Sequence, residues 1–348
     1  MIFRQLYDNV SSTFTYLLAD ERTKEAIIID TVYELFDRDL ALIRELDLNL
    51  KYVLDTHCHA DHITGAWRMK MKTGAKVGLA GIYGAENVDL PLKEGDVIRF
   101  GEYAIRVLAT PGHTSGCLSF VTLDEANVFT GDCLMIRSAG RTDFQQGDSH
   151  KMFESIKKRL FCLPENCRVF PAHDYDGRCS STIGEEKKFN TRIGGQASES
   201  DFVELMKNLN LPHPKKIKEA LPANLRSGKP ELALDEKRSW GAIEITYDGM
   251  AQVSADWVLG HLNEICLVDV REPSEGDEEY GYISGALKIP LRQLLEKIGE
   301  LSKLKPIVTV CRSGKRSAQA VVLLEKNGFE KVASLKRGMI GWREVVPN

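Results

Sequence analysis

Apolar residues in the first 175 positions come in blocks of strand length: "TFTYLLA", "EAIIID", "YVLDT", "KVGLA", "YAIRVLAT", "CLSFVT" and "NVFTGD". Short runs rich in β-branched and aromatic residues, closed by polar or turn-forming ones, predict strands buried in sheets. Two stretches follow another rhythm. "YELFDRDLALIREL" and "HKMFESIKKRL" space their apolar residues three and four apart, which gathers them on one face and predicts amphipathic helices. From 176 to about 245 the pattern weakens and Gly, Pro and charge increase, as in "RIGGQASES" and "LPHPKKIKEALPANLRSGKPELALDEKRSW". That region reads as a short helical annex followed by a linker. Beyond it, "ICLVDV", "ALKIP" and "PIVTV" alternate with the helical "KRSAQAVVLLEKNG", the order of a small α/β domain with a parallel sheet. The expected organisation is a domain over 1–190, a linker with its helical annex over 191–244, and a second domain over 245–348.

Composition narrows the class of partner. The chain has 348 residues, 43% of them apolar, enough for two or three folded cores. Lys plus Arg number 46 against 50 Asp plus Glu, with no long run of one sign, so neither nucleic acid nor an anionic membrane is indicated. Small molecules or proteins are the expected partners, and the pattern is compatible with a homo-oligomer without requiring one. No apolar run reaches membrane-spanning length, and the first twenty residues lack the layout of a secretory leader. A cytoplasmic protein is expected. Eight scattered cysteines without a CxxC pair argue against a zinc ribbon or a disulfide framework.

Candidate chemistry concentrates at strand ends. "DTHCHADHITG" brings Asp55, His57, His59, Asp61 and His62 together just after an apolar strand. His113 in "TPGHTSG", Asp132 in "FTGDC" and His173 in "FPAHDY" stand at further strand exits, where side chains converge on one edge of a sheet. Glycines before His113 and Asp132 permit close backbone approach. A single histidine is more often a satisfied core or surface residue, but this clustering is the pattern of a metal site.

The spacing HxHxDH, then His, Asp and His, resembles the metallo-β-lactamase superfamily, over about residues 1 to 175. The resemblance implies an αββα sandwich with metals at one edge of its sheets. On this motif alone a dinuclear zinc hydrolase of the glyoxalase II type is the common reading, because two metals sharing a hydroxide supply a nucleophile at neutral pH. "MIRSAGRTDFQQGDSHKMFESI" instead resembles the persulfide dioxygenase branch with its "GRTDFQ", and "HDYDGRCSSTIGEEKKFNTR" is similar to that branch, with "NTR" where "NPR" is expected. That branch implies one Fe(II) held by His57, His113 and Asp132, with His59, Asp61, His62 and His173 orienting them. It implies Arg141, Tyr175 and Arg192 as contacts to glutathione, whose persulfide is the substrate that O2 oxidises to sulfite and glutathione. Asp55 is expected to support the turn.

In the C-terminal domain, "VTVCRSGKRSAQ" sets Cys311 directly after a strand and before a helix, within a loop of Ser, Gly, Lys and Arg. Loop and helix N–H groups, with Lys315 and Arg316 nearby, favour a thiolate at Cys311. The stretch 268–290 and "LKRGMIGW" make this region resemble the rhodanese family, although Tyr282 stands where that family often has His. Such a domain implies a Cys311 persulfide formed from thiosulfate and passed to glutathione, with Arg316 at the loop's end. Arg271 is a candidate anion contact or a structural residue. A cysteine phosphatase has a related loop, but the short span from Cys311 to Arg316 favours sulfur transfer. The expected whole is a persulfide dioxygenase and rhodanese fusion; the rivals are a zinc thioesterase with an appended rhodanese, and a non-catalytic persulfide carrier.

Overall fold

A computed structural model describes residues 1–209, 211–212, 214, 216–230, 240–276 and 280–347. It divides into two compact units, Met1–Phe36 with Ile43–Glu231, and Asp37–Leu42 with Leu232–Asn348. Residues 231–239 of the expected linker lie outside the described residues.

The first unit is built on two six-stranded sheets. One runs in chain order through β1 (Ile2–Tyr7), β2 (Phe14–Ala19), β3 (Glu25–Ile29), β4 (Asn49–Leu54), β5 (Lys76–Ala80) and β6 (Leu90–Leu92). The other contains β7 (Val97–Phe100), β8 (Tyr103–Ala109), β9 (Leu118–Thr122), β10 (Asn127–Gly131), β13 (Arg168–Pro171) and β14 (Ser181–Thr182). A two-stranded hairpin, β11 (Leu134–Met135) and β12 (Ser138–Ala139), follows β10. All seven apolar blocks of this region form strands.

Alternation of side chains explains the layering. Tyr16, Leu18, Ile27, Ile29 and Leu54 of the first sheet meet Phe100, Ile105, Val107, Phe120, Phe129 and Phe170 of the second in one buried core. Each such side chain removed from water stabilises the fold by about 1.5–3 kcal/mol. The opposite residues of the second sheet, Val121, Val128 and Val169, pack on helices α3 (Ser149–Ser155), α4 (Ile183–Phe189) and α5 (Glu199–Lys207) through Met152, Ile183 and Phe202. Helix α2 (Ala66–Thr73) packs against β4 and β5, completing helix, sheet, sheet, helix. Helix α1 is Phe36–Glu45, and α6 (Ile217–Asn224) falls in the expected annex.

The second unit has a six-stranded sheet in the order β15 (Glu244–Ile245), β16 (Ala251–Val253), β20 (Val332–Leu335), β19 (Ile307–Val310), β17 (Cys266–Asp269), β18 (Leu287–Lys288). It is parallel except at β15, with α7 (Ala255–Gly260), α8 (Lys315–Lys326) and α9 (Gly338–Val345). Val253, Val258, Val308, Leu335 and Trp342 form one core cluster; Val268, Ile307, Val321 and Leu324 form another. Among the described residues no helix is long and apolar enough to cross a membrane.

Candidate metal centre and cysteine loop

His57 follows β4, His113 follows β8, Asp132 follows β10 and His173 follows β13. His57, His113 and Asp132 are brought together, each offering a ligand atom, with these atoms within 4.8 Å of one another. His113 Nε2 lies 3.6 Å from Asp132 Oδ2, and His57 Nε2 lies 4.0 Å from it. Two glycines make this convergence possible. A Cβ on Gly112, at φ +150°, would lie 2.3 Å from Met152 Cβ, and one on Gly131 would lie 2.7 Å from Thr56 Oγ1.

Hydrogen bonds fix which ring nitrogens face the metal position. His113 donates Nδ1–H to the Arg141 carbonyl at 2.7 Å. Thr56 spends its hydroxyl proton on Asp30 at 2.9 Å, so at 3.0 Å its oxygen accepts from His57 Nδ1–H. Both rings therefore present an Nε2 lone pair, as metal-bound histidines do when their outer nitrogen is fixed. Burial, then the neighbouring His59, lowers the pKa of His57 well below its usual value and keeps it neutral. Burial works to raise that of Asp132, but His173, His113 and His57 hold it below the carboxylate range. Two imidazoles with their Nε2 atoms turned inward and one carboxylate are a donor set that fits a divalent metal.

Of the other four residues, Asp61 joins His173 to His62, while His59 bonds Asp30. His173 Nδ1 lies 2.7 Å from Asp132 Oδ1 and its Nε2 lies 3.0 Å from Asp61 Oδ2. Burial opposes charge on this ring, yet Asp132 and Asp61 push its pKa well above the usual value. His62 Nδ1 lies 2.8 Å from Asp61 Oδ2. His59 Nε2 lies 3.1 Å from Asp30 Oδ1; burial lowers its pKa, but Asp30 carries it up to about 9. His59, Asp61 and His62 also bring ligand atoms within 4.8 Å of one another, and His59 Nδ1 and His62 Nε2 are buried without a partner. Asp55 accepts from the Thr64 hydroxyl at 3.0 Å and so braces the turn; burial pushes its pKa up to about 7.

His113 and Asp132 line a cleft of about 500 Å³ together with Arg141, His173, Tyr175 and Arg192. Tyr175 is 69% exposed and stacks on His173 with ring centroids 6.1 Å apart. Arg141 is already engaged. It bonds both oxygens of Asp143 at 2.6 Å and the carbonyls of Pro212 and Leu211 at 2.6 and 3.0 Å. Arg192 donates to the Ala139 carbonyl. Sequence reasoning passed over Asp30, which anchors both Thr56 and His59. It also missed Gln145, which donates to the Cys58 carbonyl at 2.8 Å between the first two histidines of the loop.

In the second unit Cys311 follows β19 directly and is 1% exposed. Its Sγ accepts from the backbone N–H groups of Gly314 at 3.2 Å and Ser317 at 3.4 Å, the cradle expected at the start of α8. Gly338 of "LKRGMIGW" closes the loop from below, since a Cβ there would lie 2.1 Å from the Cys311 carbonyl. Arg316 is paired with Glu275 through two bonds, at 2.5 and 2.6 Å. Arg271 is a structural residue here: 3% exposed, it grips Asp269 and donates to the Gly281 carbonyl at 2.7 Å.

Residues 8–173 match the metallo-beta-lactamase superfamily and residues 254–345 match the rhodanese-like domain. The first unit is thus a metallo-beta-lactamase domain and the second a rhodanese-like one. Human mitochondrial persulfide dioxygenase ETHE1 is 47% identical over 229 residues, 66% of this chain and 89% of the human protein. The crystal structure of ETHE1 from Myxococcus xanthus, also 47% identical, is covered completely by 66% of this chain, with a TM-score of 0.64. A metallo-beta-lactamase structure from Staphylococcus aureus shares the fold over 97% of the chain at 23% identity, with a TM-score of 0.62. The chain belongs to the ETHE1 persulfide dioxygenase family of the metallo-beta-lactamase superfamily, with a rhodanese-like domain added after it.

Proposed function

We propose that the first domain is a persulfide dioxygenase that holds one Fe(II) on His57, His113 and Asp132 and converts glutathione persulfide, O2 and water to sulfite and glutathione. The observation that carries this is a face of two imidazoles and one carboxylate, of which His113 and Asp132 line a cleft with arginines at its wall. Two histidines and a carboxylate leave coordination positions open for a sulfur ligand and O2. Iron supplies the electron-donating chemistry toward O2 that zinc lacks. The named activity of the ETHE1 relatives supports iron.

The chain's own residues bind and orient. Arg192, with one nitrogen on Ala139, offers its remaining N–H groups to a glutathione carboxylate. Arg141 braces residues 211–212 at the wall of the cleft, and exposed Tyr175 offers a ring and a hydroxyl. His173 keeps a proton on each nitrogen between Asp61 and Asp132, which fixes the free oxygen of Asp132 toward the two histidines.

For the second domain we infer sulfur transfer. The Cys311 sulfur attacks the outer sulfur of thiosulfate, the S–S bond breaks, sulfite leaves, and the Cys311 persulfide passes its sulfur to glutathione. Arg316 would serve the anion once released from Glu275. Residues 1–190 and 245–348 would carry the two activities. The eight free cysteines support a reducing compartment such as the cytoplasm.

One observation favours a second reading. The unpartnered nitrogens of His59 and His62 beside Asp61 provide donors for a second ion, as in a zinc thioester hydrolase of the glyoxalase II type. Metal analysis of anaerobically prepared protein, with O2 uptake on glutathione persulfide, separates the two. One iron per chain and O2 consumption, both lost in His113→Ala, is the expected result; two zinc ions without O2 uptake would refute it.

A further inference from the structure

We propose that Asn224 is a positioning residue for the metal centre, clamping the loop that follows His57 from a helix far along the chain. The inference rests on His57, His113 and Asp132 being the metal ligands. Asn224 is the last residue of α6 and is 3% exposed. Its Nδ2 donates to the carbonyls of His59 at 2.9 Å and His62 at 2.8 Å. Its Oδ1 accepts from the Thr64 backbone N–H at 2.9 Å. A carboxamide has two N–H donors and one oxygen acceptor in a single plane, and here all of them are spent on one loop.

The segment after α6 adds to the grip. Trp67 N–H donates to the Ser227 carbonyl at 2.9 Å. Gly228, at φ +75°, stands so close that a Cβ would lie 2.0 Å from the Thr64 carbonyl oxygen, so glycine is required there. The clamped loop carries Asp61, which meets His173 Nε2 at 3.0 Å, and His173 meets Asp132 at 2.7 Å. Asn224 thus reaches a metal ligand through Asp61 and His173. It lies beyond residues 8–173, the part that matches the superfamily, so the clamp is contributed by the segment that follows it.

The test measures ferrous iron release to a chelator under anaerobic conditions, beside the melting temperature of the metal-free protein, for the full chain. Wild type, His113→Ala, Asn224→Ala and Asn224→Asp are compared. Asp keeps the size and the acceptor for Thr64 but loses both donors. Iron release from both Asn224 variants is expected to be several-fold faster, short of the cost on the order of 10- to 100-fold for removing a group bonded directly to a ligand. If Asn224→Ala fails to fold, Asn224→Asp and Asn224→Ser decide. Wild-type iron release in a folded Asn224 variant, even one with a lower metal-free melting temperature, would overturn the proposal and leave a purely structural role. Wild type without iron, or His113→Ala that retains it, would instead overturn the ligand assignment and the inference with it.

Discussion

His173 holds Asp132 by a 2.7 Å contact to Oδ1, leaving Oδ2 on the side of His113 and His57. With a metal held on His57, His113 and Asp132, the histidine that lies last in the HxHxDH, His, Asp, His series would act on it through a carboxylate. His173→Ala should leave the fold intact but weaken iron binding on the order of 10- to 100-fold. Iron stoichiometry after anaerobic gel filtration checks this; undiminished retention would show that Asp132 needs no such partner.

The cysteine loop and the metal face share no residue, so their chemistry should separate. Cys311→Ser is expected to abolish thiosulfate turnover while O2 uptake on supplied glutathione persulfide stays at wild-type rate. Loss of both would mean that the sites depend on each other.

Glu275 withholds the Arg316 guanidinium from the loop. Glu275→Gln removes that charge, and sulfur transfer from thiosulfate should rise several-fold in kcat/KM. The same pair predicts a pH signature. The Arg316 bonds draw the pKa of Glu275 down from 4.5 to about 2. A lowered folded-state pKa contributes stability above the unfolded value, and that contribution is lost as pH falls toward 2. The stability difference between wild type and Glu275→Gln should be level above about pH 5 and shrink below it; a difference flat through pH 3 would argue against the ion pair. Its size will be small, because both side chains are partly exposed.

Gly112 lets the His113 loop lie directly on α3, with Met152 Cα 2.4 Å from where a Cβ would stand. Gly112→Ala should cost about 1–3 kcal/mol of stability through overpacking, and should lower iron content by displacing His113. A melting curve and metal assay test both halves.

Much of this was written in local pattern. The strands leading to His57, His113 and Asp132 are apolar blocks such as "YVL", "YAIRVLA" and "NVFTG", each long enough to be read alone. β1 and β7 lack a continuous apolar block, since they sit at sheet edges with mixed burial. The cradle at Cys311 was legible because strand, loop and helix are contiguous. The pairing of Arg316 with Glu275 was not, for it joins residues 41 positions apart. Asp30 ended a strand with nothing to mark it, and its value appears only when Thr56 and His59 fold against it. Asn224 was hidden in a stretch read as annex because its partners precede it by 160 to 165 residues.

That separation bears on how the protein is made. At roughly 5–20 residues per second, synthesis needs on the order of 8 to 30 seconds to travel from Thr64 to Asn224. Both sheets are complete before α6 emerges. A nascent chain in that interval lacks the three Asn224 hydrogen bonds to the loop after His57. If Asn224 clamps the loop as proposed, a chain that ends before residue 217 should hold its metal less tightly than the full chain.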